Sequence, residues 1–413
     1  MRGLLGLAVL LAIAWVLSAD RRRIPWRTVI AGVALQWALA LLLIFFPPAN
    51  AVIVLLNDGA TALQTATQAG TGFVFGYLGG PPLPFAEAHP GASFILAFQA
   101  LPLVLTISAL ASLLFHWGVL QRITAAFAWL LRRAMGIGGA LALGAAVHVF
   151  VGMIEAPLLV RPYLARMQRG ELFALMTCGM AGVAGTVMVI YASFLAPLVP
   201  NALGNILIAS VISTPAGLAV AALLVPFGPA EAAEERLVIE DPPLSALDAL
   251  VKGTIDGVPV LVGIVATLLV AVAFVALINA ALGELPHWGD AAITLQRIFA
   301  WPFRPVMWLI GLPWDEAGTA AALMGTKTVL NEFVAYVNFS ALPPDTFAPR
   351  SRLIVTYALC GFANFGSLGI VIGGLGAMVP GRRHEIVALG MRSILSGTLA
   401  TCMSGAVAGL LAG

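Results

Sequence analysis

The chain has 413 residues, of which 61% are hydrophobic and only 10% are charged, with a mean hydropathy of +1.00. Soluble domains carry about 25% charged residues, so the composition excludes a water-soluble globule and indicates a polytopic membrane protein. A formal net charge of +2 is too small to suggest a nucleic-acid partner. The three cysteines, Cys178, Cys360 and Cys402, lie in apolar segments without metal-ligand spacing and read as small core residues.

The first apolar run, residues 3–18, has the length of a signal-peptide core. Asp20-Arg21-Arg22-Arg23 follows it in place of a small-residue cleavage site, so it reads as a retained membrane helix over residues 4–17. The arginine cluster places the following loop in the cytoplasm and the N-terminus outside. A second span over 29–46 returns outward and stops at Pro47-Pro48. Residues 49–92 contain no Lys or Arg, as expected of an external segment, and Gly79-Gly80-Pro81-Pro82 argues against another full span there. A third span covers 93–115.

Residues 117–135 carry Arg122, Arg132 and Arg133 among apolar positions, the pattern of a helix lying along the cytoplasmic interface. The run 137–159 is long enough to span, but six interruptions (Gly136, Gly138, Gly139, Gly144, Gly152 and Pro157) and basic residues on both sides favour a re-entrant hairpin. Spans over 172–198 and 203–225 follow. The linker 228–252, with Glu231, Glu234, Glu235, Glu240 and Asp241 beside Arg236 and Lys252, reads as a solvated cytoplasmic face. A sixth span covers 258–282. Residues 295–312, with Trp301, Trp308 and Trp314 nearby, look interfacial. The region 313–340 is too polar for a plain span and reads as a second re-entrant hairpin, entering from outside. Spans over 353–379 and 386–411 complete eight spans and two hairpins, with the C-terminus outside. The units are then 1–116 (three scaffold helices with the external segment), 117–227, 228–252, 253–312 (sixth span and interfacial helix) and 313–413. The expected class is an all-α polytopic membrane protein.

Two glutamates stand out. Gly152-Met153-Ile154-Glu155-Ala156-Pro157 and Asn331-Glu332-Phe333 each place a carboxylate in an apolar stretch, where a charge costs roughly 3 kcal/mol. The bland alternative is a glutamate at a hairpin tip close to water. The span after each acidic hairpin carries a small-residue cluster: Cys178-Gly179-Met180-Ala181-Gly182-Val183-Ala184-Gly185 and Cys360-Gly361-Phe362-Ala363-Asn364-Phe365-Gly366-Ser367. Such clusters permit close helix packing in any membrane protein. Paired twice with an acidic hairpin, in units of opposite orientation, they match the inverted repeats of secondary transporters. Glu155, Glu332, Asn364 and Ser367, with exposed backbone groups, suit a hydroxyl-rich solute. A membrane-embedded enzyme is disfavoured, because the sequence has no His/Asp metal cluster, no nucleophile paired with a base and no phosphate-binding loop. A channel is disfavoured by paired midplane carboxylates, which suit an occluding site.

At these residues the chain resembles the concentrative nucleoside transporter family. The matching stretches are 152–162 (GMIEAPLLVRP), 325–336 (GTKTVLNEFVAY) and 360–364 (CGFAN), with the break at Gly381-Arg382-Arg383, and the likeness covers nearly the whole length. The resemblance implies a homotrimer in a bacterial inner membrane, with a fixed scaffold and an elevator-like transport domain holding both hairpins. It implies that Glu155 lies near the nucleobase, that Glu332 binds ribose, and that Asn364, Ser367 and Phe362 sit on the ribose side of a broken seventh span.

Two positions depart from the family pattern. Met153-Ile154 replaces the Gln-Thr of many members, so base recognition is expected to depend on shape and dispersion, with a preference shifted towards purines. His148 and Gly182 stand where sodium-coupled members have Asn and Ser. Sodium prefers oxygen ligands, so only backbone carbonyls near Val151 and Val183 would remain. Proton coupling is therefore expected over sodium, with His148, Glu155 and Glu332 as carriers; His148 as a merely packed polar residue is the alternative. No cofactor is expected. The partners are the nucleoside, membrane lipid and further copies of the chain.

Overall fold

A computed structural model describes residues 2–80, 82–86, 93–228, 243–285 and 292–412. The expected acidic face of the linker, from Glu231 to Asp241, lies outside the described residues. Helix is the only regular structure among those described. The chain begins with α1 (Arg2–Val16), α2 (Trp26–Phe45) and α3 (Pro47–Phe75). Residues expected as an external segment thus contain a 29-residue helix. Pro47-Pro48 ends α2 and also starts α3, since proline fits a first helical turn, where its missing N–H has no partner to lose.

α4 (Leu96–Gln99), α5 (Leu103–His116) and α6 (Val119–Met135) follow. In α6 the buried residues Leu120, Thr124, Ala128, Leu131 and Met135 form one stripe, while Arg122, Arg132 and Arg133 are exposed, the two-faced pattern of a surface helix. Next come α7 (Gly139–Val147), α8 (Glu155–Leu159), α9 (Arg161–Leu164), α10 (Arg169–Ala181), α11 (Gly185–Leu195), α12 (Ala202–Leu224) and α13 (Ala246–Gly283). The last third holds α14 (Leu295–Leu309), α15 (Trp314–Val329), α16 (Glu332–Ser340), α17 (Pro349–Leu359), α18 (Phe365–Met378) and α19 (Arg383–Leu411).

Among the described residues, five helices are long and apolar enough to cross a membrane: Trp26–Phe45, Leu96–His116, Ala202–Leu224, Ala246–Gly283 and Pro380–Leu411. The other three expected spans differ in form. α1 has 15 residues, roughly 22 Å at 1.5 Å per residue. The runs 172–198 and 353–379 are each broken, the first into α10 and α11 at Gly182–Ala184, the second into α17 and α18 at Cys360–Asn364. Each broken pair follows a helix–turn–helix hairpin, α7–α8 or α15–α16.

α12 and α19 form the centre, apolar on nearly every side and buried along most of their lengths. Lipid is as apolar as a leucine side chain, so helices associate through close packing and polar contacts. Both are present here: Ser213 and Ser404 hydroxyls lie 2.7 Å apart, and Gln36 donates to Ser404 at 3.1 Å, joining α2, α12 and α19. At the cytoplasm-assigned end, Arg382 donates to the carbonyls of Leu164 and Met167 at 2.8 and 2.7 Å and pairs with Glu385, tying α19 to the exit of the first hairpin.

The two breaks cross. Phe362 N–H donates to the Gly182 carbonyl at 3.2 Å. Gly361 is required there, because a Cβ would lie 2.7 Å from the Met180 carbonyl oxygen and 2.7 Å from Thr401. Gly361→Val is expected to destabilise the protein by about 1–3 kcal/mol through overpacking, read as a lower thermal midpoint in detergent. An unchanged midpoint would mean that the breaks do not press together.

Candidate functional site

The site begins with a chain that cannot continue as helix. α15 ends at Leu330, and Asn331 takes extended dihedrals, φ −169° and ψ 173°, as the N-cap of α16. Its side-chain oxygen accepts from Val334 N–H at 2.9 Å, the usual role of Asn at this position. Glu332 is thereby fixed as the first residue of α16, where unpaired N–H groups and the positive end of the helix dipole favour a carboxylate.

Glu332 is only 4% exposed. Its Oε1 accepts from the Tyr191 hydroxyl at 2.7 Å, and its Oε2 accepts from Asn364 Nδ2 at 2.9 Å. Asn364 caps α18, with its Oδ1 accepting from Ser367 N–H at 2.7 Å. That cap fixes the amide: the oxygen must face Ser367, so the NH₂ faces Glu332. One buried carboxylate is therefore bracketed by the N-termini of two helices.

The opposite charge is placed on the opposite kind of helix end. Lys327 is fully buried, and its ammonium donates to the Ala358 carbonyl at 2.8 Å and to the Thr401 hydroxyl at 3.3 Å. Tyr336 donates to the Thr356 carbonyl at 2.9 Å. Ala358 and Thr356 belong to the last turn of α17, whose carbonyls lose their helical partners at the break. A cation there also complements the negative end of the dipole. Tyr191 packs on Tyr336 and edge-on to Phe333, with ring centroids 5.0 and 5.9 Å apart. The aromatic cluster walls the carboxylate from water.

The first hairpin is built differently. α7 stops at His148, and α8 starts at Glu155. His148 is buried and its Nε2 has no hydrogen-bond partner among the described residues. Its ring lies against α10 at Gly179, where a Cβ would come within 3.2 Å of Cε1. The Phe150 carbonyl presses on Gly185 at the start of α11, so the turn is wedged at the α10–α11 break. At that break, the Gly182 carbonyl is taken by Phe362 N–H and Val183 N–H donates to Ser210 Oγ at 3.3 Å.

Met153 is buried against Gly179, and Ile154 lies on Gly374 of α18. Glu155 is exposed and lines a cavity of about 450 Å³ between the hairpin, α5 and α13, together with Val151 and Gly152. Small-molecule sites run from about 300 to 1,000 Å³.

Apart from Met153 and Ile154, packed on α10 and α18, the predicted residues fall into three groups. Glu332, Asn364 and Ser367 meet directly, and Phe362 ties them by its backbone to the first break. His148, Gly182 and Val183 surround that break. Glu155 and Val151 face the cavity, whose described lining does not include Glu332. α18 spaces the two hairpin turns: Gly366 lies near the Leu330 carbonyl and Gly374 under Ile154, eight residues or about 12 Å apart. Sequence reasoning missed Tyr191 and Lys327. Lys327 carried a signal, a cation in an apolar run five residues before Glu332, whereas Tyr191 reads as an ordinary residue of an apolar helix.

Comparison with known proteins agrees with this architecture. Three family models match: "Na+ dependent nucleoside transporter N-terminus" over residues 5–78, "Nucleoside recognition" over 97–198, and "Na+ dependent nucleoside transporter C-terminus" over 205–409. The chain is 34% identical to the putative nucleoside permease NupX of Escherichia coli, covering 100% of this chain and 99% of that one. It is 34% identical to the nucleoside permease NupC of Helicobacter pylori, covering 99% and 97%. A solved structure of CNTnw in an inward-facing substrate-bound state superposes with a TM-score of 0.87 at 37% identity, covering 99% of this chain and 97% of that one.

The capping role of Lys327 has a direct check. Lys327→Met leaves the buried Ala358 carbonyl without its donor, which costs about 1–3 kcal/mol. The expected result is a lower thermal midpoint in detergent, and an unaltered one would remove Lys327 from the break.

Proposed function

The chain belongs to the concentrative nucleoside transporter family, and from that premise we propose that it is a secondary active symporter importing nucleosides across the inner membrane. The observation that carries this is Glu332: a buried carboxylate, held at a helix N-terminus by Tyr191 and Asn364. A carboxylate accepts from both hydroxyls of a ribose, and the Asn364 amide supplies a donor beside it. Burial strengthens each of these bonds and makes a missing partner costly, which favours solutes that carry both hydroxyls. The base extends toward Glu155 and its cavity. With Met153 buried and Ile154 packed on α18, hairpin 1 offers little polar readout besides Glu155. Shape and dispersion then weigh more, with a preference leaning to purines.

Both hairpins are re-entrant in this reading, since α7, α8 and α16 are each too short to span. They travel together against a scaffold of the first three spans and α13, in a homotrimer with both termini outside. Protons drive the cycle, because His148 and Gly182 supply no side-chain oxygen and the Gly182 carbonyl is already engaged. His148, buried with an unpartnered nitrogen, is the first candidate carrier, and Glu155 and Glu332 are the others. Sodium is the second reading, favoured by the name of the matching family models and by backbone carbonyls around Val151 and Val183. Modified nucleosides or nucleobases are alternative cargoes.

Uptake of labelled adenosine and uridine into proteoliposomes, with proton and sodium gradients imposed separately, tests this reading. Accumulation under a proton gradient alone is expected. Accumulation only with sodium would replace the proton, and uptake of neither solute under either gradient would remove nucleosides as cargo.

A further inference from the structure

A third carboxylate faces the path. Asp256 lies on α13, eleventh in a helix of 38 residues, between the predicted linker 228–252 and the predicted span 258–282, where the sequence assigned it no role. In the structure it is exposed on the wall of the 450 Å³ cavity that also holds Glu155.

Its placement follows from how α13 meets α5. Gly253 and Gly257, one turn apart, let the two backbones approach: a Cβ at Gly253 would lie 2.6 Å from the Ser108 carbonyl and 2.6 Å from Ser112 Cβ. This small-residue seam is a common membrane-helix contact. Asp256, next to Gly257, stands at the edge of the seam, and Ser108 and Ser112 line the same cavity. Lys252, one turn earlier, is held by Asp248 at 3.6 Å. Asp256 has no hydrogen bond or ion pair among the described residues. The hairpin side of the cavity offers Glu155, since Met153 and Ile154 are turned to α10 and α18. Among the described residues, the unengaged polar groups elsewhere on the lining are Asp256, the two serines, His116 and the side-chain oxygen of Gln121.

We infer that Asp256 reads the nucleobase, selecting bases that present an exocyclic amino group over those that present a carbonyl at the same place. The inference rests on the reading of the cavity beside Glu155 as the base side of a nucleoside site. A carboxylate is acceptor-only. It accepts from the amino group of cytosine or adenine, and it accepts in bidentate fashion from the N1–H and amino group of guanine. Uracil instead turns carbonyl oxygens toward it on either side of its one N–H, so attraction is opposed by repulsion. Ser108 and Ser112, able to donate or accept, adapt to the remaining edge of the base. Base discrimination, lost from the hairpin positions Met153 and Ile154, is supplied by the scaffold.

Cytidine and uridine isolate the effect, because their base edges differ only at N3 and C4; guanosine and inosine differ only by the 2-amino group. The KM ratio within each pair is measured in proteoliposomes for wild type and Asp256→Asn. Nucleoside-induced thermal shifts in detergent report binding separately from movement. The wild type is expected to favour cytidine and guanosine by about tenfold or more, the scale of one charge-assisted hydrogen bond. Asp256→Asn, which can donate to a carbonyl, is expected to erase or reverse both ratios. Unchanged ratios, or a shifted pH profile at unchanged ratios, would overturn the inference while leaving nucleoside transport standing. Absence of nucleoside transport and binding in the wild type would instead overturn the reading beneath it.

Discussion

A carboxylate taken out of water needs donors, and the structure is arranged around supplying them to Glu332. A lone carboxylate in an apolar interior costs several kcal/mol, so its partners must be in place before any solute arrives. The fold obtains them by interrupting helices. Asn331 starts α16 so that Glu332 occupies its first turn, and Asn364 starts α18 so that its amide points at the same carboxylate. Interrupted helices also leave carbonyls without partners. Lys327 and Tyr336, from the hairpin that carries Glu332, answer two of them at the end of α17. Charge and helix ends therefore match in sign around Glu332 and Lys327, and one hairpin both carries the buried carboxylate and closes the end of α17.

The other half of the repeat solves the same geometric problem without charge. At the α10–α11 break the partners are a backbone N–H from Phe362, the Ser210 hydroxyl and the packed turn around Phe150. Non-helical backbone at membrane depth is tolerated where protein or a cavity covers it, and here protein covers it. The crossing of the two breaks at Gly361 and Met180 packs them directly against each other. A movement of the hairpins then carries both breaks together, which fits the likeness to CNTnw, solved in inward- and outward-facing states.

Much of this was legible in the sequence because polar residues in apolar runs are costly and therefore conspicuous. Glu332, Asn331 and Asn364 announce themselves that way; the glycine-interrupted run 137–159 indicates the first hairpin, and the polarity of 313–340 the second. The first break was not legible: Gly182-Val183-Ala184 sits in an unbroken apolar stretch, and only tertiary contact from Phe362 and Ser210 decides that the helix stops there. Tyr191 was invisible for the same reason, since its partner is 141 residues away. α3 was hidden by reading Pro47-Pro48 only as a stop. Asp256 was not singled out because it falls between the predicted linker 228–252 and the predicted span 258–282, and its place on the cavity wall comes only from the packing of α13 on α5.

The central claim is that Glu332, with Asn364, binds the two ribose hydroxyls. The most direct measurement is calorimetric affinity of the purified protein for adenosine and for 2′,3′-dideoxyadenosine. A buried site built to hydrogen-bond hydroxyls rejects the analogue that lacks them. The account predicts at least about a hundredfold weaker binding of the dideoxy compound, two charge-assisted bonds being lost. Equal affinity for the two compounds would contradict it and move the sugar away from Glu332.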